Sequence, residues 1–255
     1  MSVSFPHAVS VWRRNAALYR RTWMWNILPN FFEPVFYLLS IGIGVGAYIS
    51  EMGGMSYMAF LAPGLVCVAA MNGASFEVTY NVFVRLSYQK AYDAMLTTPI
   101  EPEDVLAGEV LWAITRACIY GGCFFVVIGL VGLAPLPSAL LVLPVIPLAG
   151  LLFAAIGITF SLHISNIDLF SFYFTLFLTP LFLFSDVFFP LQDRLSAGWL
   201  WVAEVLPLLH PVRLARAAFQ GNPSPILLWD LAYLLGVSWL LLVWARRGVR
   251  RRLTN

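Results

Sequence analysis

Three ionisable residues interrupt apolar runs in this chain of 255 residues: Glu33, Glu77 and Arg116. A charge in such a place is costly, and it marks either a proton or cation relay or an ion pair that fixes neighbouring helices. Arg116 lies seven residues beyond Glu109 and so shares its helical face. The three read best as structural ion pairs, with Glu77 and Arg116 as one pair. No acid falls at mid-depth in the later apolar runs, as a proton-coupled carrier would want.

Enzyme chemistry finds little to work with. His7, His163 and His210 are far apart and none has a His or Cys three or four residues on, so no metal site is expected. Cys67, Cys118 and Cys123 lie in apolar runs without CxxC spacing and read as packing residues. There is no Gly-x-Ser-x-Gly elbow. The GxxxG from Gly42 to Gly46 signals close helix packing inside a span. Around Pro102, the acids Glu101, Glu103 and Asp104 read as a helix start. Lys90 is the only lysine, preceded by Ser87-Tyr88-Gln89 and followed by Ala91. It is not the lysine of a phosphate-binding loop, which ends a Gly-rich turn. Any ATP and Mg used by this protein would therefore be bound by a partner, and no cofactor is expected in this chain.

The elements that carry these residues follow from composition. Hydrophobic residues make up 60% and charged residues 11%, against roughly 45–50% and about 25% in soluble domains. A soluble fold could not cover that much apolar surface. The net charge of +2 is too small for a nucleic-acid binder. The chain reads as one all-α integral membrane domain, 1–255. Runs near the 20 residues a bilayer requires fall at 31–49, 58–84, 113–133, 139–161, 169–184 and 227–244. Six spans place both termini on one side. Eleven of the fifteen basic residues lie in the N-terminal segment, the 85–109 loop and the tail, which makes that side cytoplasmic. Arg194, Arg213 and Arg216 fall on the other side. The Arg-rich start lacks the apolar core of a signal peptide.

Four segments stand out. Over residues 5–28, Val9, Trp12, Ala16, Tyr19 and Trp23 form an apolar stripe beside Arg13, Arg14, Arg20 and Arg21, which describes an interfacial helix. Pro29 and Pro34 mark its turn into the first span. Residues 86–97 are predicted to form a cytoplasmic helix of about three turns, stopped at Thr97-Thr98-Pro99. Residues 186–225 hold apolar pieces too short to span, which suggests re-entrant or interfacial helices on the outer face. In the fifth span, Phe170, Phe174, Phe177, Leu181, Phe184 and Phe188 follow helical spacing with Tyr173 adjacent. That face is either core or a surface for an acyl chain or a sugar.

This ordering resembles the type-2 ABC transporter permeases. Several stretches are similar to the nodulation-factor (lipo-oligosaccharide) exporter permeases, the NodJ-like branch: Val11-Trp12-Arg13-Arg14-Asn15, residues 56–64, Ala74-Ser75-Phe76-Glu77, Asp93-Ala94-Met95-Leu96, residues 184–191 and 206–212, and Arg216. The likeness covers essentially the whole chain, with Asp186 standing where the family commonly has Gly. It implies the exporter permease fold of that family. It also implies a permease that dimerises, docks on a cytoplasmic ATPase dimer and moves an amphipathic substrate out of the bacterial inner membrane among membrane lipids. Ser87, Tyr88, Gln89, Lys90, Tyr92, Asp93, Met95 and Leu96 would couple to the ATPase. Trp12, Arg13, Arg14, Tyr19, Arg20 and Arg21 would form a gate helix. Phe36, Tyr37, Phe170, Tyr173, Phe174, Phe177 and Phe184 would line the conduit. A membrane-embedded transferase acting on lipid-linked sugars, with Glu101, Glu103 and Asp104 as its acids, and a secondary carrier are the alternatives.

Overall fold

The computed structural model describes residues 3–49, 51–52, 54–191, 196–222 and 224–254, excluding the side chains of residues 25–27, 29–31, 33, 34, 197 and 254. Arg194 and any ion pair of Glu33 lie outside the described residues and side chains.

Helix α1 runs unbroken from Phe5–Gly44. The sequence predicts an interfacial helix, a turn and a separate span, but the backbone stays helical through Pro29 and Pro34. Proline removes one donor and disturbs the turn before it, which bends a helix without having to end it. A small antiparallel hairpin comes next, β1 (Glu51–Met52) on β2 (Met55–Ser56), with Glu51 opposite Ser56. Helix α2 (Tyr57–Phe76) starts with the Ser56 hydroxyl accepting from the Ala59 amide at 3.3 Å. It continues through two π-type wide turns, Glu77–Asn81 and Val84–Tyr88.

Lys90 then takes a left-handed conformation (φ 48), and α3 (Ala91–Leu96) begins after it. The single cytoplasmic helix expected over 86–97 is thus two pieces. Ser87 and Tyr88 end the preceding helix, Gln89 and Lys90 form the break, and six residues make α3. A left-handed non-glycine residue cannot continue an α-helix. Helix α4 (Pro102–Leu130) opens as the sequence predicts, with Pro102 first and Glu101 and Asp104 in a reciprocal capping box.

A 3-10 turn (Ser138–Val142) leads into α5 (Val145–His163). The next apolar stretch is built from α6 (Phe170–Phe172), a π-type segment (Tyr173–Leu178) and α7 (Thr179–Phe184). Two shorter helices, α8 (Ala197–Ala203) and α9 (Leu209–Gln220), precede α10 (Ile226–Thr254).

Among the described residues, Tyr57–Tyr88, Pro102–Leu130, Ser138–His163, Ile167–Phe184 and Ile226–Leu253 are long and apolar enough to cross a bilayer. The expected first span appears as the ten-residue apolar end of α1, Val35–Gly44. This is an all-α, multi-pass membrane architecture. α2 is the most enclosed span and packs closely on α4. A Cβ on Gly73 would stand 2.4 Å from the Tyr120 ring, so the backbones approach to a distance only glycine permits. Large apolar side chains such as Leu130, Leu176, Leu228 and Trp239 face outward, where lipid rather than water receives them.

Both chain termini gather at one end of the bundle. The Ser4 amide donates to Asp104 at 2.7 Å, and Arg246 and Arg250 of α10 pair with Glu103.

Candidate functional site

Helical spacing places Glu77, Asn81 and Arg85 on one face of the extension of α2, facing α4 at the termini end. Arg85 Nη2 donates to Glu77 Oε1 at 2.6 Å and to Glu109 Oε2 at 2.8 Å. Asn81 Nδ2 donates to Glu77 Oε2 at 2.8 Å. Arg116 approaches the same oxygen only to 3.6 Å. The pair expected between Glu77 and Arg116 is therefore the long contact of a larger cluster whose central cation is Arg85. The spacing of Glu77, Asn81 and Arg85 at i, i+4 and i+8 was the available signal.

Two further elements reach this cluster. Asn15 of α1, 1% exposed, donates to Glu109 Oε2 at 3.0 Å. Tyr92 of α3 donates its hydroxyl to Glu109 Oε1 at 2.9 Å. Burial, together with the Glu109 carboxylate beside it, holds that hydroxyl far above the usual tyrosine range, so it remains a donor. Two carboxylates and two guanidinium groups balance in charge. Removing any one would leave its partner buried and uncompensated.

The predicted coupling residues divide by face. Ser87, Tyr88, Gln89, Lys90 and Asp93 are exposed, Tyr88 at 66%. Tyr92 and Met95 are buried among Val11, Val78, Val82 and Leu106, and Leu96 is half-buried. Tyr92 and Met95 anchor α3 to the bundle.

The buried edge of α1 is Ala8, Val11 and Asn15, offset from the stripe of apolar residues that the spacing predicts. It lies against α4, where a Cβ on Gly108 would stand 2.5 Å from Val11 Cβ. Trp12 donates its indole N–H to Thr115 at 2.9 Å, and Tyr19 meets the Trp112 ring edge-on at 5.5 Å. Arg13, Arg20 and Arg21 are exposed and Arg14 is half-buried. Tyr19 is also covered by the Arg116 guanidinium at 4.5 Å.

The aromatic residues predicted to line one surface separate. Tyr37 and Phe174 line a cavity of 230 Å³ with Met71, Asn72, Phe76 and Phe182. Phe174 stacks on Phe76 at 4.4 Å, and Tyr37 meets Phe182 edge-on at 5.1 Å. Phe170 and Tyr173 are core residues instead: Phe170 packs on Tyr80 and Phe83, and Tyr173 shares a 3.3 Å hydrogen bond with Ser75. Phe177 is half-buried beside Tyr173, while Phe36 and Phe184 lie on the outer surface. The π-type segment explains the scatter. Each residue it adds rotates the downstream side chains by about 100°, so a 3.6-residue stripe cannot continue through it.

A second buried ionic group sits at the opposite end, in the segment expected to be re-entrant. Asp186 pairs with Arg216 and accepts from the Leu191 amide at 2.7 Å. Its φ of 63 is the left-handed conformation that suits glycine. Burial raises the Asp186 carboxyl above its usual range, against the pull of Arg216. Nearby, His210 Nδ1 lies 2.7 Å from Asp230 Oδ1, and Nε2 lies 3.0 Å from the Glu204 carbonyl. Arg213 donates to Glu204 at 2.8 Å and lies 3.5 Å from Asp230. Glu204, His210 and Asp230 offer ligand atoms within 4.8 Å of one another. No local spacing joins them, because they come from α9, α10 and the segment before them.

The acids considered for a transferase are committed elsewhere. Asp104 caps α4 and holds His7 at 3.2 Å, and Glu103 is held by the two α10 arginines.

A profile of the ABC-2 type transporter family matches residues 7–219. The chain belongs to the ABC-2 type transporter family. It is similar to nodulation protein J of Rhizobium leguminosarum bv. trifolii, 38% identical over 84% of this chain and 82% of that protein. Nodulation protein J of Neorhizobium galegae is 34% identical over 97% and 94%. Inner membrane transport permease YadH of Escherichia coli is 24% identical over 94% and 96%. As an ABC-2 permease of the NodJ-like kind, the chain is a membrane transport subunit rather than an enzyme, and family membership implies an ABC ATPase partner. In this ABC-2 permease the four-element cluster around Glu109 joins the helix expected to meet that partner to the helix expected to gate the membrane.

Proposed function

We infer that this chain is the transmembrane half of an ATP-driven exporter. Two copies form the pathway in the inner membrane, with both termini in the cytoplasm, and a separate ATPase dimer binds ATP and Mg. The substrate is amphipathic: a lipo-oligosaccharide, another glycolipid or a hydrophobic drug. The exposed residues Ser87, Tyr88, Gln89, Lys90 and Asp93 form the ATPase-facing surface. The Arg-bearing part of α1 gates access from the inner leaflet, and the aromatic cavity around Tyr37 and Phe174 belongs to the conduit.

The observation that carries this reading is the bridge through Glu109. Its two oxygens hold Tyr92 of α3 and Asn15 of α1, so a displacement of α3 by a partner pulls on the gate helix through a single carboxylate. Such a link is a mechanical route from ATP hydrolysis to opening. Co-reconstitution tests it: the permease alone hydrolyses no ATP, and permease plus cognate ATPase hydrolyses ATP and moves a lipo-oligosaccharide across the vesicle membrane. Hydrolysis by the permease alone, or transport without the ATPase, would overturn the reading.

A further inference from the structure

A cavity of 570 Å³ opens between α1, the wide-turn part of α2 and α4, beside the charge cluster. Asn15, Arg21, Asn81, Arg85, Gln89 and Arg116 are among its lining residues. Its hydrogen-bond inventory is lopsided. Every oxygen of Glu77 and Glu109 already accepts from a named donor: Arg85 and Asn81 on Glu77, and Tyr92, Asn15 and Arg85 on Glu109. Among the described residues, the cavity-lining atoms buried without a hydrogen-bond partner are Arg85 Nε, Arg116 Nε and the Tyr19 hydroxyl, and all three can donate. Arg116 is only 3% exposed, and among the described residues its side chain makes no hydrogen bond, holding only the long contact to Glu77 and the rings of Tyr19 and Tyr120.

A buried guanidinium with unspent donors is costly unless a ligand completes it. A site with spare guanidinium donors favours an acceptor. Guanidinium groups take oxyanions above all, through planar paired hydrogen bonds. Arg21 at the rim adds positive charge to a cluster that is otherwise balanced. Beside that rim, Leu18 lines the opening, and further along α1 Met24 and Leu28 are exposed on one side of the helix and Trp23 on another. A headgroup in the cavity would leave its acyl chain beside these apolar side chains of α1.

We propose that this cavity binds the oxyanion of a lipid-borne headgroup, a phosphate, sulfate or carboxylate, through Arg116 and Arg85, with Asn15, Asn81 and Gln89 facing neighbouring polar atoms of the headgroup. The proposal rests on the transport reading in that it supplies the recognition step at the inner leaflet. It names the substrate by its anionic headgroup.

The test uses the full-length permease in phosphatidylcholine nanodiscs without ATP, so that it is independent of transport. Short-chain phosphatidic acid and inorganic phosphate are titrated separately, with short-chain phosphatidylcholine as control. The wild type binds phosphatidic acid in preference to the control, and Arg116→Gln weakens that binding by about tenfold or more, the loss of a charge-assisted hydrogen bond. Arg116→Lys restores part of it. Should Arg116→Gln fail to fold, Arg21→Gln at the exposed rim still lowers affinity and flattens its salt dependence.

Arg116-dependent binding of inorganic phosphate as strong as that of phosphatidic acid supports the oxyanion chemistry but removes the lipid. Equal affinity for phosphatidic acid and phosphatidylcholine, or binding unchanged in Arg116→Gln, overturns the proposal. ATP-driven transport with no Arg116-dependent binding would sink this site and leave the transport reading standing, whereas binding without transport would do the reverse.

Discussion

The Tyr92 hydroxyl sits 2.9 Å from Glu109 Oε1, and that carboxylate's other oxygen, Oε2, takes Asn15 at 3.0 Å. One buried side chain thereby fixes α3 and α1 to α4 at once. Neither contact depends on charge from solvent, so the link survives physiological salt.

Tyr92→Phe removes the donor and leaves Glu109 Oε1 buried and unsatisfied. The expected loss is about 1–3 kcal/mol of stability. It is read as a lower melting temperature of the purified permease, together with less transport per ATP hydrolysed by the assembled complex. Unchanged values of both would show that α3 does not act through Glu109.

Arg85 is the central cation, so Arg85→Gln strands two carboxylates. A loss of about 3–5 kcal/mol is expected, the range for breaking a buried pair from one side. Arg85→Gln with Glu77→Gln should cost less than the two single losses added together. Strict additivity in thermal unfolding would argue against the cluster.

Gly108→Val tests the seating of α1 on α4. Its Cβ would meet Val11 Cβ at 2.5 Å and the Ala8 carbonyl at 2.8 Å. Overpacking of this kind costs about 1–3 kcal/mol. Protease sensitivity near residue 20 should rise as α1 lifts, and a wild-type cleavage pattern would count against the contact.

Asp186 joins backbone and charge effects. Asp186→Gly relieves the left-handed backbone but strands Arg216, so a net loss of stability is expected, and Asp186→Ala should lose more. Because burial raises the carboxyl's pKa in the fold, its contribution is full below the ordinary value of 3.8 and is lost as pH rises through the raised value. The difference in melting temperature between wild type and Asp186→Asn should therefore fall as pH rises through that window. A difference that grows over the same window would contradict the assigned environment.

The exposed pair Lys90 and Asp93 tests the partner surface. Reversing both charges should weaken copurification with the ATPase while leaving the permease's melting temperature within about 1 °C, since isolated surface charges contribute little to stability. Full ATPase retention would move the docking surface elsewhere.

Composition alone determined the solvent. With 60% apolar and 11% charged residues, no water-facing fold was open to this chain. Run length pointed to the five described helices long and apolar enough to cross a bilayer, and Pro102 with its acids to the start of α4, because these are local properties read one segment at a time. The Asn15 contact, the central place of Arg85 and the inward face of Tyr92 were settled by tertiary structure. Each depends on which helices stand side by side, a distance that spacing along one helix does not encode. The aromatic stripe of the fifth span failed for a related reason. Its periodicity was genuine in the sequence, but the π-type turn at Tyr173–Leu178 rotated the later rings away from the earlier ones. A wide turn forms where packing against neighbours outweighs ideal helical hydrogen bonding. Those neighbours exist only once the chain has folded.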